Sequence, residues 1–180
     1  EPPAPLTAWV VNDMVALRDD TPPGSDNIIY NPATNTVALF GGGNETVSFQ
    51  FVVSSPAGPT EGLRLKWSEL TAGEDRVIPA GRIRAFRMVP VRVERFPAWY
   101  LRLASEPVEP ASYYDALVPV HAEASAQPYD LDADERAAFW FDVAIPPGAF
   151  PGTYRGTVTA RDDTGRQWRT NLEVEVYGFV

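Results

Sequence analysis

The sequence predicts an all-β fold, an antiparallel two-sheet β-sandwich of jelly-roll or immunoglobulin-like type carrying one long irregular loop. Three observations predict it. Several runs alternate apolar and polar residues with a period of two, as half-buried strands do. The 18 prolines and 13 glycines fall largely between those runs, where they serve as turn residues. No stretch carries the 3.6-residue apolar period of an amphipathic helix. At 180 residues and 44% hydrophobic content, the chain is long enough to bury the core of one sandwich.

Taken in order, residues 1–7 read as a proline-rich linker or mature N-terminus with only Leu6 to bury, leaving 8–180 as a single sandwich domain. Trp9, Val11, Val15 and Leu17 suggest a first strand that ends at the turn-like 18–24. Residues 27–30 and 36–40 read as a hairpin around Asn31-Pro32-Ala33-Thr34-Asn35. Gly41-Gly42-Gly43 reads as a bend. A phosphate cradle would need a helix directly after the glycines, but residues 44–53 are alternating and rich in β-branched side chains.

Val47, Phe49, Phe51 and Val53 then share a strand face opposite Thr46, Ser48 and Gln50. Leu63, Leu65 and Trp67 alternate with Arg64 and Lys66, and Ser68-Glu69-Leu70 reads as a single turn. Arg82 to Val93 is the longest strand candidate, with Ile83, Ala85, Val89, Val91 and Val93 on one side and Phe86, Met88 and Pro90 on the other. Both faces carry apolar residues, so the strand is expected to be covered on both sides, one face against another domain, although Pro90 disfavours an unbroken central ladder.

Residues 96–134 form the irregular loop, broken by prolines at 97, 107, 110, 119 and 128, with short extended pieces such as Ala116-Leu117-Val118-Pro119-Val120. A three-strand meander closes the chain. Phe139, Phe141, Val143 and Ile145 share one face; so do Tyr154, Gly156, Val158 and Ala160; so do Trp168, Thr170, Leu172, Val174 and Val176. The connectors Pro146-Pro147-Gly148 and Asp162-Asp163-Thr164-Gly165 supply the turns.

Composition excludes several functions. A net charge of −9 argues against holding nucleic acid through its phosphates. No apolar run approaches the roughly 18 residues that cross a bilayer as a helix. The absence of cysteine excludes disulfides, thiolate metal sites and cysteine nucleophiles. His121 is the only histidine and no serine sits in a Gly-x-Ser-x-Gly elbow, so neither a serine triad nor a zinc site is assembled from the sequence. A first residue Glu1, followed by Pro-Pro-Ala-Pro, is read as a trimmed start: either a mature N-terminus after an export signal, hence secreted or periplasmic, or an artificial boundary.

Three constellations lie in or beside the long loop. Asp130, Asp132 and Asp134, followed by Glu135, offer alternate carboxylates of the kind that catch calcium. The glycine and terminal glutamate of an EF-hand are missing, and the competing reading is a solvated acidic turn with no cofactor. Trp99, Tyr100, Tyr113 and Tyr114 could stack on the rings of an oligo- or polysaccharide. Against this stands burial over the end of the sandwich or against a neighbouring domain, which large aromatics mostly serve. Arg82, Arg84, Arg87, Arg92, Arg95 and Arg102 precede an acidic stretch free of Lys and Arg over 103–135. The economical expectation is an acidic loop folded back over an arginine-rich strand through exposed pairs worth about 0–1 kcal/mol each.

Taken together, Asn44-Glu45-Thr46-Val47-Ser48-Phe49-Gln50, Tyr113-Tyr114-Asp115-Ala116-Leu117-Val118-Pro119-Val120 and Phe139-Trp140-Phe141-Asp142-Val143 carry a resemblance. So do Pro147-Gly148, Pro151-Gly152-Thr153-Tyr154-Arg155-Gly156 and Val176-Tyr177-Gly178-Phe179. In that order they resemble the N-terminal β-sandwich of bacterial glycoside-hydrolase-like proteins, relatives of the family 123 β-N-acetylgalactosaminidases, in which the sandwich precedes a (β/α)-barrel. The charged Asp134-Glu135-Arg136 departs from the pattern.

The resemblance implies that catalytic carboxylates belong to the barrel, so no catalytic residue is carried over to this chain. The expected role is a non-catalytic accessory domain, partnered by a catalytic domain of the same parent chain that would connect after Val180. An independent carbohydrate-binding module or an adhesin-type interaction domain is the alternative. Neither nucleic acid nor membrane is expected as a partner.

Overall fold

The computed structural model describes residues 6–24, 27–94 and 110–179. Within them thirteen strands run in the order β1 (Thr7–Asn12), β2 (Tyr30–Asn31), β3 (Thr36–Gly42), β4 (Thr46–Ser54), β5 (Thr60–Trp67), β6 (Leu70–Thr71) and β7 (Val77–Ile78). They continue as β8 (Ile83–Val93), β9 (Ala111–Pro119), β10 (Tyr129–Leu131), β11 (Arg136–Ala144), β12 (Gly152–Arg161) and β13 (Gln167–Tyr177). The only helical turns among the described residues are two short 3-10 segments, and none is long and apolar enough to cross a membrane.

The strands form two sheets, one ordered β1-β4-β11-β8-β9 and one ordered β10-β5-β12-β13-β3-β2, with β6 beside β12 and β7 beside β6. Every pairing is antiparallel except β3 with β13. This is a β-sandwich, as the alternation predicts.

Its core is the meeting of two alternating faces. Phe49, Phe51, Phe139, Phe141 and Val143 come from one sheet, and Leu63, Tyr154, Val158, Leu172 and Val174 from the other; all are essentially inaccessible to solvent. Phe49 stacks on Phe141 at 5.0 Å across the β4–β11 pair, and Trp67 from the opposite sheet meets Phe141 edge-on at 5.6 Å. Trp168 lies against Phe51 at 4.8 Å. The three faces expected of the closing meander are those that bury.

The outer face of the five-stranded sheet is covered too. Trp9, Val11, Leu17, Val52, Met88 and Ala138 form a second buried cluster there, with Tyr114 and Trp140 packed against it. The first strand is shorter than its alternation suggests, beginning at Thr7 and ending at Asn12. Asn12 Oδ1 accepts from the Met14 N–H at 2.8 Å and turns the chain. The buried Gln50 amide then donates to the carbonyls of Asn12 and Val15, each at 2.8 Å, holding 13–17 over the sheet.

Four further expectations are corrected. The described part of the 96–134 stretch is more regular than expected: the extended piece at 116–120 lies almost wholly within a longer edge strand, β9 (Ala111–Pro119), and 129–131 pairs with β5. Its prolines mislead because Pro119 sits at the last residue of an edge strand, where the missing N–H costs no ladder bond.

Gly41 and Gly42 do not bend the chain; they lie in β3, paired with Val176 and Tyr177. A side chain at Gly41 would sit 2.9 Å from Val47, so the glycine serves close packing. The reversal falls at Asn44, whose φ is 65°.

On β8, the register shifts at Val89/Pro90, and Val89 and Val91 are exposed rather than buried beside Ile83 and Ala85. Val89 pairs with Ala116 and Pro90 with Tyr114, so Asp115 bulges opposite the residue that has no N–H. Finally, Ser68–Leu70 is no isolated turn, because Leu70–Thr71 forms a short strand against β12 and β7.

Candidate functional site

The outer face of the five-stranded sheet carries a trough of about 590 Å³. Gln50, Met88 and Trp140, from adjacent strands β4, β8 and β11, lie beneath it; residues 13–17 bound it on one side and Tyr113, Tyr114 and Leu117 of β9 on the other. The two sides are tied by backbone bonds, Tyr114 N–H to Leu17 O at 3.0 Å and Asp19 N–H to Ser112 O at 3.1 Å. The Arg18 guanidinium lies 5.9 Å from the centre of the Tyr113 ring. Burial raises the pKa of the Tyr114 phenol, keeping it neutral and able to donate a hydrogen bond throughout the physiological range.

Apolar side chains remain open at this face: Met14 is 87% exposed, and Val15, Val91 and Leu117 are also accessible. The trough thus joins a hydrophobic lining to a few polar groups, in the size range of small-ligand sites. Of the four aromatics singled out from the sequence, Tyr113 and Tyr114 come together here, while Trp99 and Tyr100 lie outside the described residues. Trp140 joins them and is absent from the sequence-based set. Its signal lies in β11 itself, where Ala138 and Trp140 make the second face apolar just as Phe139 and Phe141 make the first.

The three aspartates are not brought together as ligands. Asp130 Oδ1 accepts from the Gly62 N–H at 2.8 Å. The Asp132 N–H donates to Glu135 Oε2 at 2.8 Å, and the Glu135 N–H returns to the Asp132 carbonyl at 3.1 Å. Asp134 adopts φ 66° and its N–H is bound to Ser55 O at 2.9 Å. The run is a capped turn into β11. Among the described residues no three His, Cys, Asp or Glu side chains cluster as a metal site.

The arginine-rich strand is paired differently from expectation. The chain after it does fold back, but β9 joins β8 through the backbone ladder. Among the described residues, the ion pair from β8 is Arg84 with Asp142 of β11 at 3.5 Å, and no ion pair ties β8 to the 110–135 carboxylates. Arg87 instead lies over the Tyr129 ring at 5.0 Å. His121 is exposed on the turn after β9.

Comparison with known proteins places this scaffold. Residues 25–162 match the glycoside hydrolase 123 N-terminal domain, and the chain belongs to that family. Among solved structures it is similar to a family 123 glycoside hydrolase from Clostridium perfringens, described in work on glycolipid glycan hydrolysis. The TM-score is 0.73 at 15% identity, over 97% of this chain and 28% of that one. It therefore spans under a third of the length of that enzyme. A looser likeness joins it to a PapD-like domain of human CEP192, with a TM-score of 0.43 at 8% identity over 94% of this chain and 84% of that one. No curated protein matches the chain by sequence.

Proposed function

We propose that this chain is a non-catalytic N-terminal accessory domain of a larger, exported carbohydrate-active protein, one that supports or shapes a neighbouring catalytic barrel in the same parent chain. The observation that carries this reading is the family membership, in a domain defined by its N-terminal position in glycoside hydrolases, joined to the 28% share of the Clostridium perfringens enzyme that the chain spans. The local chemistry agrees with it. The carboxylates of Asp130 and Glu135 in the acidic turn each accept a backbone N–H, and the trough is lined chiefly by apolar groups, with Asp13 and Asp115 among its few polar ones.

The test is hydrolysis of aryl N-acetylglycosaminides by the 180-residue chain alone and by its parent. Activity is expected only in the parent. Turnover by the isolated chain, lost on substitution of one carboxylate, would overturn the reading. Export is tested by locating the parent after fractionation, with the secreted or periplasmic fraction expected.

A second reading is favoured by one observation: Tyr113, Tyr114 and Trp140 border the same trough. In that reading the domain holds a sugar ring there, with aromatic faces against the ring and polar tips on its hydroxyls. Titration with oligosaccharides, followed by tryptophan fluorescence and calorimetry, decides it. A signal abolished by Trp140→Ala supports binding, and a flat titration removes it.

A further inference from the structure

A second apolar surface lies on the opposite sheet, at the end where the described chain leaves it. Phe40 of β3, Tyr177 of β13 and Phe179 form a ladder of rings, with centroids 6.2 Å apart for the first pair and 5.8 Å for the second, which is stacked within 15°. Phe40 and Phe179 are 63% and 59% exposed, and Phe150, on the loop leading to Pro151 beside Gly178, is 68% exposed. Large aromatics left in water at one place are a costly arrangement unless something covers them.

The course of the chain is fixed here. The Gly43 N–H donates to Phe179 O at 3.0 Å. The Phe179 ring lies over Gly42, where a Cβ would sit 2.9 Å from it, and Pro151 comes within 3.3 Å of the Cβ position at Gly178. In a longer parent, the chain therefore departs from a pinned point beside these rings. A covalently attached neighbour is held there at millimolar-scale effective concentration, so even a small aromatic patch suffices to keep it docked. Glu175, exposed and in register with Phe40, borders the patch.

Resting on the accessory-domain reading, we propose that the Phe40–Tyr177–Phe179 ladder, rather than the trough, is the surface on which the catalytic domain of the same parent chain docks. The partner face is apolar, with a cation opposite Glu175. The trough lies on the outer face of the other sheet and has no such connection to the exit.

Hydroxyl-radical footprinting of the 180-residue chain and of the parent tests this. Modification of Phe40, Tyr177 and Phe179 is expected to fall at least fivefold in the parent, while Met14 and Leu117 at the trough are modified equally in both. Unchanged ladder labelling with protected trough residues would overturn the proposal. So would protection of the ladder in the isolated chain together with a doubled mass by light scattering, which would assign the surface to a second copy.

Phe40→Ser serves as the variant, since its ring is exposed and the isolated chain should unfold at the wild-type temperature. In the parent it is expected to raise proteolytic cleavage just beyond residue 180 severalfold; no change counts against the proposal. A parent reading frame with no catalytic domain would remove the accessory reading itself, an outcome distinct from a catalytic domain that leaves the ladder labelled.

Discussion

Gly156 and Asp162 show how much of this fold is decided by single atoms. Gly156 takes an inward-alternating position in β12, yet a Cβ there would lie 2.5 Å from a Leu70 methyl and 2.6 Å from the Glu69 carbonyl oxygen. The approach of β6 is possible only without a side chain. Gly156→Ala is expected to destabilise the chain by about 1–3 kcal/mol, read as a lower urea midpoint at unchanged slope.

Asp162 has a side chain shut from solvent and opens the β12–β13 turn. Its carboxylate accepts from Arg166 Nε at 2.6 Å, from the Arg166 N–H at 2.9 Å and from the Thr164 hydroxyl at 2.8 Å. Burial alone would raise its pKa, but Arg166 and Thr164 outweigh it and the net direction is down. Because the folded value lies below the unfolded one, the stabilisation is complete above the ordinary aspartate range and is lost as pH falls through the lowered folded value. Asp162→Asn should cost about 1.5–3 kcal/mol at neutral pH. In urea titrations, that gap to the wild type should narrow below about pH 4.

At the scale of elements, legibility tracks coverage. β11, β12 and β13 are readable from alternation because one face of each is wholly apolar and buried. Phe141→Ala, which removes a ring packed between Phe49 and Trp67, should cost about 3–5 kcal/mol in thermal or chemical unfolding.

β8 departs from its alternation for a physical reason. The pattern is continuous in sequence, but β11 flanks the strand only from Ile83 to Met88, and beyond the Asp115 bulge its ladder is with β9 alone. The amides of Val89 and of 91–93 should therefore exchange with deuterium faster than those of 83–88. Of β9 only the 116–119 end is legible as extended; its 111–115 start, just after Pro110, is not, and with it the fact that Tyr113 and Tyr114 belong to a strand bordering a trough is hidden. The opposite wall, 13–17, is equally illegible, since it is held by contacts from Gln50, far away in sequence.

For the molecule as a whole, the match to the family ends at residue 162 and begins at 25, leaving β1 and β13 outside it. Yet β13 is the strand between β12 and β3, and Leu172, Val174 and Val176 from it are buried in the core. A fragment trimmed to 25–162 should lack a cooperative unfolding transition, whereas the 180-residue chain should show one by circular dichroism. The sandwich class is readable from periodicity alone. The parallel pairing of β3 with β13 is not, because strand direction depends on which distant edge is open, a property that no local pattern records.

That parallel pair also sets an order of events. Residues 36–42 have β2 on one edge, but on the other they find their partner only in 171–177, so the eight-stranded sheet stays in two pieces until the last strand of this domain has been synthesised. Contacts between such remote segments close slowly, and until then β3 presents an unpaired edge with the Phe40 ring beside it. The interval between the synthesis of β12 and that of β13 is thus when a nascent chain of this protein is most open to mispairing, and the short Asp162–Arg166 turn, by keeping that interval to a few residues, limits it.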